Sequence, residues 1–312
     1  MRHPCTVTIP AVNPDSEAPL DNTGPEGLPA RRRRPRRGGR HRGAESFALP
    51  PDAPPLILAV PGAYAPDASG SAGVAGALAL LTEHAHTERP VVLGYLEGSQ
   101  YALSDALATA ETAERAPDMP PAVVVPLLPG PVPQIQRALH ETVAASGVPA
   151  LIAEPLGPHP LIAQALHERL AEAGLARADR VRMMTMVTMA GGVVIAVPGG
   201  PAAVQDAEVS AVLLASRLAV PATAAALDGG SGAVSPAEAA ARLREAGATH
   251  VAYAPCVIGP EADPAHLAAL SKLAADMGAG IAAPLGDHPV LAQLIALRYV
   301  EALEKAFADQ QR

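Results

Sequence analysis

Short apolar runs alternate with longer segments of helical spacing from residue 55 onward. In the first half of the chain the runs are LILAV (56–60), VVLGYL (91–96), AVVVPLL (122–128) and ALIAEPL (150–156). They do not alternate between apolar and polar positions, which is typical of parallel strands covered on both faces. The segments between them have the apolar spacing of helices and provide the crossovers that parallel strands need; they lie at about 70–86, 101–115, 133–146 and 159–173.

The second half repeats this order. Its apolar runs are GVVIAVPGG (192–200), PATAAALD (221–228), HVAYAPCVIG (250–259) and AGIAAPLG (279–286), with helices expected at about 203–217, 235–246, 263–277 and from 289. PLGPHPLIAQALHERL (155–170) returns as PLGDHPVLAQLIALRY (284–299) at a constant offset of 129 residues. A constant offset indicates duplication of a whole unit. The sequence therefore predicts an α/β fold of two similar lobes, 55–175 and 192–308, each a four-stranded, mainly parallel sheet flanked by helices.

Residues 1–50 have a different composition from the rest of the chain. Nine of the chain's 23 Lys and Arg residues lie there, most of them in RRRRPRRGGRHRG (31–43), against five of its 31 acidic residues. The segment has many prolines and almost no apolar periodicity, so we interpret it as a disordered tail. An Arg run can bind nucleic acid or anionic lipid, but this one lacks interleaved aromatic residues and precedes an acidic body. We therefore expect no nucleic-acid partner.

The apolar segments and the cysteines indicate in which cellular compartment the protein resides. The tail has no apolar core of the kind that a signal peptide needs. The longest apolar stretch, MMTMVTMAGGVVIAV (183–197), is too short to span a bilayer comfortably. The two cysteines, Cys5 and Cys256, are too far apart in the chain to suggest a disulfide framework. These features predict a cytoplasmic protein that does not bind a membrane.

Candidate chemistry lies where the predicted strands end. Ligands of open parallel sheets gather at the carboxyl ends of the strands, and two related lobes would face each other across a cleft. Glu97 and Asp228 occupy matching strand ends, in YLEGS (95–99) and ALDGG (226–230). They are candidate catalytic residues, serving as proton acceptors in a partly desolvated cleft. The alternative is that each acid starts a turn and caps the following helix.

Three motifs in this order resemble a known family. GYLE (94–97), VVPLL (124–128) followed by glycine, and LGPHP (156–160) resemble the sirohydrochlorin cobalt-chelatases and their ferrochelatase relatives, the class II chelatases. The chain resembles the fused form of that family, in which two similar lobes enclose one tetrapyrrole. The resemblance implies a tetrapyrrole ligand, insertion of divalent Co, Ni or Fe as a substrate, no organic cofactor and a monomeric chain. It also implies that Glu97 corresponds to the family's strand-end glutamate.

The family's two metal-site histidines have no counterparts here. The family places one histidine after the first strand and another in a Gly-x-His loop after the third. The matching segments read VPGAY (60–64) and PGPV (129–132) in the first lobe, and VPGG (197–200) and IGPE (258–261) in the second. Only harder oxygen donors remain, so the metal ligands are unknown. A non-catalytic relative that binds a tetrapyrrole or a metal is therefore the alternative function.

Three further residues are candidates for ligand binding. His159 and His288 each precede a proline that starts a predicted helix. Their rings can bind carboxylates at the fringe of a tetrapyrrole, or they can satisfy backbone groups at the helix N-terminus. Tyr64 follows the first strand and could contact the edge of a tetrapyrrole, or pack within its loop. The chain contains no P-loop, G-x-G-x-x-G, H-E-x-x-H or G-x-S-x-G motif, which removes support for those enzyme classes.

Overall fold

A computed structural model describes residues 53–64, 71–113, 119–177, 190–229 and 232–310. The predicted tail, residues 1–50, lies outside the described residues, as does the first part of the apolar stretch, 183–189. Within the described residues, both lobes lie in one compact unit.

The first lobe contains four parallel strands. They are β1 (Leu56–Ala63), β2 (Val91–Glu97), β3 (Val123–Pro126) and β4 (Leu151–Ile152). Across the sheet the order is β2-β1-β3-β4. The helices of this lobe are α1 (Ser71–Thr82), which continues into a π-helical turn (Glu83–Thr87), α2 (Leu103–Glu111), α3 (Pro133–Ser146) and α4 (Pro160–Glu172).

The second lobe repeats this topology. Its strands are β5 (Gly192–Val197), β6 (Ala222–Ala226), β7 (Val251–Pro255) and β8 (Gly280–Ile281), all parallel and in the order β6-β5-β7-β8. The helices are α5 (Gly200–Leu218), α6 (Pro236–Glu245), α7 (Pro264–Asp276) and α8 (Pro289–Gln310). The predicted fold class, two similar lobes with four-stranded parallel sheets flanked by helices, is confirmed.

The last strand of each sheet is much shorter than the apolar run that predicted it. Strands were expected over 150–156 and 279–286, but β4 and β8 have two residues each. Each run contains a proline, Pro155 or Pro284, whose nitrogen has no hydrogen to donate to a strand ladder. The chain therefore leaves the sheet early and enters the loop before the final helix of the lobe.

The final helix of each lobe packs on the other lobe. Helix α8 contacts α1, the π-helical turn, β3 and β4, whereas α4 contacts α5 and β7. The hydroxyl of Tyr299 on α8 donates a hydrogen bond of 2.6 Å to the carbonyl of Pro54, just before β1. Because each lobe supplies the helix that covers the other sheet, the two lobes share one apolar core. Its members include Leu58, Val60, Ile162, Leu166, Ile195, Leu214, Leu294 and Ile295.

The remaining helices cover the outer faces of the sheets. Helices α2 and α3 pack over the first sheet through a cluster that includes Ile57, Val124 and Leu139. Helices α6 and α7 cover the second sheet through a cluster that includes Val194 and Tyr253. Among the described helices, none combines the length and the apolar character that a membrane span would require.

Candidate functional site

The strand-end loops of the two lobes contact each other at the carboxyl edges of the sheets. A β-carbon added to Gly62, near the carboxyl end of β1, would lie 3.9 Å from the carbonyl oxygen of Pro260, after β7. A β-carbon added to Gly199, after β5, would lie 3.2 Å from Cγ1 of Val132, after β3. The two contacts are reciprocal, because they join the first-strand loop of each lobe to the third-strand loop of the other. The carboxyl ends of both sheets therefore face a common region between the lobes, as predicted.

A small pocket of about 20 Å³, with room for about one water molecule, opens on one side of this junction. It lies between the loop after β3, the end of β5 and helix α5, and three of its lining residues have polar side chains: Asp206, Ser210 and Cys256. Burial, reinforced by the Glu261 carboxyl group, raises the pKa of the Cys256 thiol to about 12. The thiol is therefore protonated at neutral pH and is a poor metal ligand there.

Glu97 and Asp228 lie at the carboxyl ends of the edge strands β2 and β6, and both are exposed. The predicted partial desolvation of these two acids is therefore wrong. Neither residue lines the small pocket beside the junction. The capping alternative is not observed either, because α2 has no side-chain cap and α6 is capped by Ser235. Asp228 instead accepts a hydrogen bond of 3.1 Å from the backbone nitrogen of Gly199.

His159 and His288 cap α4 and α8, the final helix of each lobe, which packs on the other lobe. Nδ1 of His159 accepts a hydrogen bond of 3.1 Å from the nitrogen of Leu161. Nδ1 of His288 accepts one of 3.3 Å from the nitrogen of Val290. His288 is 3% exposed, and its Nε2 lies 3.3 Å from a carboxylate oxygen of Glu168 on α4. These hydrogen bonds are those of the capping alternative.

Both imidazoles are held in the neutral form. Burial lowers the pKa of His288, and the neighbouring Arg169 lowers it further, while Glu168 acts in the opposite direction. Burial and Arg298 likewise lower the pKa of His159. A neutral ring keeps the Nδ1 lone pair that a helix cap requires.

Two arginines at matching positions of the repeat, Arg169 and Arg298, each bind a backbone carbonyl of the other lobe. We call these two contacts, Arg169 to Leu285 and Arg298 to Leu156, the lobe latch. The guanidinium of Arg169 on α4 donates a hydrogen bond of 2.8 Å to the carbonyl of Leu285, just before α8. The guanidinium of Arg298 on α8 donates one of 3.1 Å to the carbonyl of Leu156, just before α4. Each member of one pair lies 129 residues from its counterpart. The duplicated sequence motif therefore builds a two-fold contact that joins the lobes.

Glu261 is a residue that the sequence did not single out. It follows β7, in the loop IGPE, and its carboxylate accepts hydrogen bonds from the backbone nitrogens of Ile258 and Gly259, the latter at 2.9 Å. Burial raises its pKa to about 7, although these backbone hydrogen bonds act in the opposite direction. A carboxyl group that titrates near neutral pH can accept and release protons there. The available signal was an acid in the loop where the related family carries a histidine.

Tyr64 lies half-buried beside the end of β2. Its ring centroid is 5.5 Å from that of Tyr95 and 4.8 Å from that of Tyr101, both in edge-to-face arrangements. Over the described ranges of the chain, no group of three or more His, Cys, Asp or Glu side chains is placed to hold a metal ion.

Comparison with known proteins supports the fold and the family. The family model of CbiX matches residues 57–173, which is the first lobe. No curated protein matches the chain.

Solved structures match both lobes at low sequence identity. The sirohydrochlorin chelatase SirB from Bacillus subtilis subspecies spizizenii, in complex with cobalt, is 15% identical, with a TM-score of 0.56 over 80% of this chain and 96% of that one. SirB from Bacillus subtilis with Fe³⁺ is 16% identical, with a TM-score of 0.58 over 80% and 95%. A multi-domain protein of Deinococcus radiodurans with structural similarity to chelatases is 17% identical, with a TM-score of 0.56 over 80% and 55%. The first lobe thus matches the CbiX family model, and the chain as a whole shares the two-lobed fold of the sirohydrochlorin chelatase structures.

Proposed function

We propose that this protein binds a tetrapyrrole of the sirohydrochlorin class at the strand ends and inserts a divalent metal ion into it. The observation that carries the proposal is the CbiX match of the entire first lobe, within a two-lobed fold shared with SirB. The metal is a substrate, and Co, Ni and Fe are the candidates; the two SirB structures hold cobalt and Fe³⁺. A fused pair of lobes is sufficient to enclose one ligand, so we propose a cytoplasmic monomer without an organic cofactor.

Metal insertion requires that the two pyrrole protons of the macrocycle leave as the metal enters. Glu97 and Asp228 are the proposed proton acceptors, because both lie at the carboxyl edge of a sheet. Glu261 is a third, because its pKa of about 7 suits a group that accepts a proton near neutral pH. Carboxylates are hard donors, and a site without imidazole would hold Co, Ni or Fe only weakly. Weak binding suits a metal that must be released into the macrocycle.

A second function is favoured by the missing histidines. Without them, and with no group of three metal-binding side chains in the described segments, the chain could bind a tetrapyrrole without inserting metal. Such a protein would act as a carrier, or as a partner of an active chelatase.

One assay distinguishes the two proposed functions. Purified protein is incubated anaerobically with sirohydrochlorin and Co(II), Ni(II) or Fe(II), and insertion is followed by the absorbance of the macrocycle. A chelatase accelerates insertion of at least one metal over the protein-free control. A binding protein shifts the absorbance of the free macrocycle without accelerating insertion. If neither change occurs with any of the three metals, both functions are wrong.

Variants then assign the proton acceptor. Glu97→Gln keeps the shape of the side chain and removes its charge, and it should abolish insertion while leaving macrocycle affinity nearly unchanged. Glu141→Gln, an exposed acid on α3, is the matched control and should insert metal at the parent rate. If Glu97→Gln also retains the parent rate, Glu97 is not the base, and Asp228→Asn and Glu261→Gln become the decisive variants.

A further inference from the structure

Three of the chain's five tyrosines meet at the carboxyl edge of the first sheet, in a chain that has two phenylalanines and no tryptophan. We call Tyr64, Tyr95 and Tyr101 the tyrosine cluster. The Tyr64 ring lies edge-to-face against both of the others, with interplanar angles of 76° and 72°. The cluster is next to Glu97, which pairs with Ala63 where β1 and β2 end.

Packing does not account for two features of this cluster. Tyr95 is 3% exposed, yet within the part of the chain that the structure describes its hydroxyl group has no hydrogen-bond partner. Buried hydroxyl groups are nearly always paired, so an unpaired one requires an explanation such as an absent ligand. Desolvation and the neighbouring tyrosines raise the pKa of Tyr95, which keeps the hydroxyl group protonated as a donor.

Tyr101 is the second unexplained feature. Its side chain is 58% exposed, which is unusual for a large aromatic ring beside a protein core. Its backbone has a φ of 54°, in the left-handed region that residues other than glycine, asparagine and aspartate rarely adopt. Strained backbone of this kind is concentrated at ligand-binding sites. The strain places a large ring where it faces solvent rather than the core.

The duplicated lobe shows that the fold does not need these rings. From the alignment of YLEGS with ALDGG, the positions matching Tyr95 and Tyr101 are Ala226 and Gly232. The second sheet has the same strand order and parallel pairing with these small residues. The cluster is therefore a property of the first lobe alone.

We infer that the tyrosine cluster is the surface that contacts the face and the acidic edge of the bound macrocycle. This inference rests on the proposed function. The exposed ring of Tyr101 stacks on the conjugated ring system. A shift of the Tyr64 ring, which packs edge-to-face against Tyr95, brings the Tyr95 hydroxyl group within reach of a carboxylate of the macrocycle. A planar, conjugated ligand with carboxylates at its rim fits this pair of groups, since an aromatic ring binds the face and a hydroxyl donor binds the rim. The small residues at the matching positions of the second lobe, Ala226 and Gly232, leave the opposite face of the macrocycle free for the metal to enter.

Binding titrations with uroporphyrin, an air-stable macrocycle with carboxylates at its rim, test the inference by absorbance. We expect Tyr101→Ala to raise Kd about fivefold or more, because base-stacking aromatic side chains contribute at least this much elsewhere. Tyr101→Phe retains the ring and should bind like the parent. Leu80→Ala removes a side chain of similar exposure, 57%, at the far end of α1 and should also bind like the parent. Circular dichroism melts establish that each variant is folded.

Tyr95→Phe tests the hydrogen-bond donor separately. It removes a buried hydroxyl group that lacks a partner, so its melting temperature should equal or exceed that of the parent, while its Kd for uroporphyrin should rise several-fold. If Tyr101→Ala and Tyr95→Phe both bind as the parent does, the inference is wrong and the proposed function stands. If the parent itself binds neither uroporphyrin nor sirohydrochlorin, the proposed function fails, and the inference fails with it.

Discussion

Replacement of Glu261 by glutamine should change how the stability of the protein depends on pH. The pKa of Glu261 is raised from 4.5 to about 7 in the folded chain. The folded state therefore holds the Glu261 proton more tightly than the unfolded state does. Its contribution to stability is fully present below pH 4.5 and is lost as pH rises through 7.

The shift sets an upper limit on the size of this effect. Each pKa unit corresponds to about 1.4 kcal/mol, so a rise from 4.5 to about 7 corresponds to at most about 3–4 kcal/mol of unfolding free energy. Glu261 is half-buried, and solvent screening reduces this value, so we expect about 1–2 kcal/mol. Glutamine does not titrate, and the variant lacks this contribution at every pH.

Urea denaturation followed by circular dichroism measures the difference. Parent and Glu261→Gln are unfolded at several pH values from about 4.5 to about 8, and the difference in unfolding free energy is plotted against pH. His159 and His288, whose pKa values are lowered, change the stability of both proteins in the opposite direction and cancel in the difference. The parent should lose stability relative to the variant as pH rises. A difference that stays constant across this range would show that Glu261 does not titrate near neutral pH.

Three further substitutions test how the lobes are joined and how the site is held. Arg169→Ala leaves the buried carbonyl of Leu285 without its 2.8 Å hydrogen bond and should lower the unfolding free energy by about 1–3 kcal/mol in urea titrations; a loss below about 0.5 kcal/mol would refute a structural role for the latch. Tyr299→Phe removes the hydrogen bond to Pro54 and should cost about 1 kcal/mol in the same assay, whereas no loss would argue that this contact of the exchanged helix is absent in solution. Asp228→Ala should cost less than about 1 kcal/mol because the acid is exposed, so a larger loss of stability would favour a structural role over proton transfer.

The sequence contained enough information to place the strands and helices. The run LILAV became the core of β1, and the proline after each repeated histidine marks the start of α4 and α8. Both signals are local, because they depend on the periodicity of apolar residues and on backbone groups at helix ends.

The exchange of α4 and α8 between the lobes could not be predicted in the same way. Apolar spacing shows that a helix buries one face, but it does not show which sheet covers that face. The lobe latch could not be predicted for a related reason. The constant spacing of Arg169 and Arg298 indicates a duplication, but it does not show that each side chain reaches the other lobe.

Only part of the candidate site could be predicted from the sequence. Glu97 and Asp228 were placed correctly at strand ends, but their exposure depends on the surrounding loops. Glu261 was missed because its raised pKa comes from burial, which the order of residues does not encode. The meeting of Tyr64, Tyr95 and Tyr101 depends in the same way on the close pairing of β1 with β2.

A crystal structure of the protein with sirohydrochlorin bound under anaerobic conditions would test the central claim most directly. The account places the macrocycle at the carboxyl edges of the two sheets, between the strand-end loops of the lobes, with a ring face against Tyr101 and with Glu97 beside it. Density for the macrocycle at the opposite, amino-terminal ends of the strands, or on the outer helices α2, α3, α6 and α7, would contradict it.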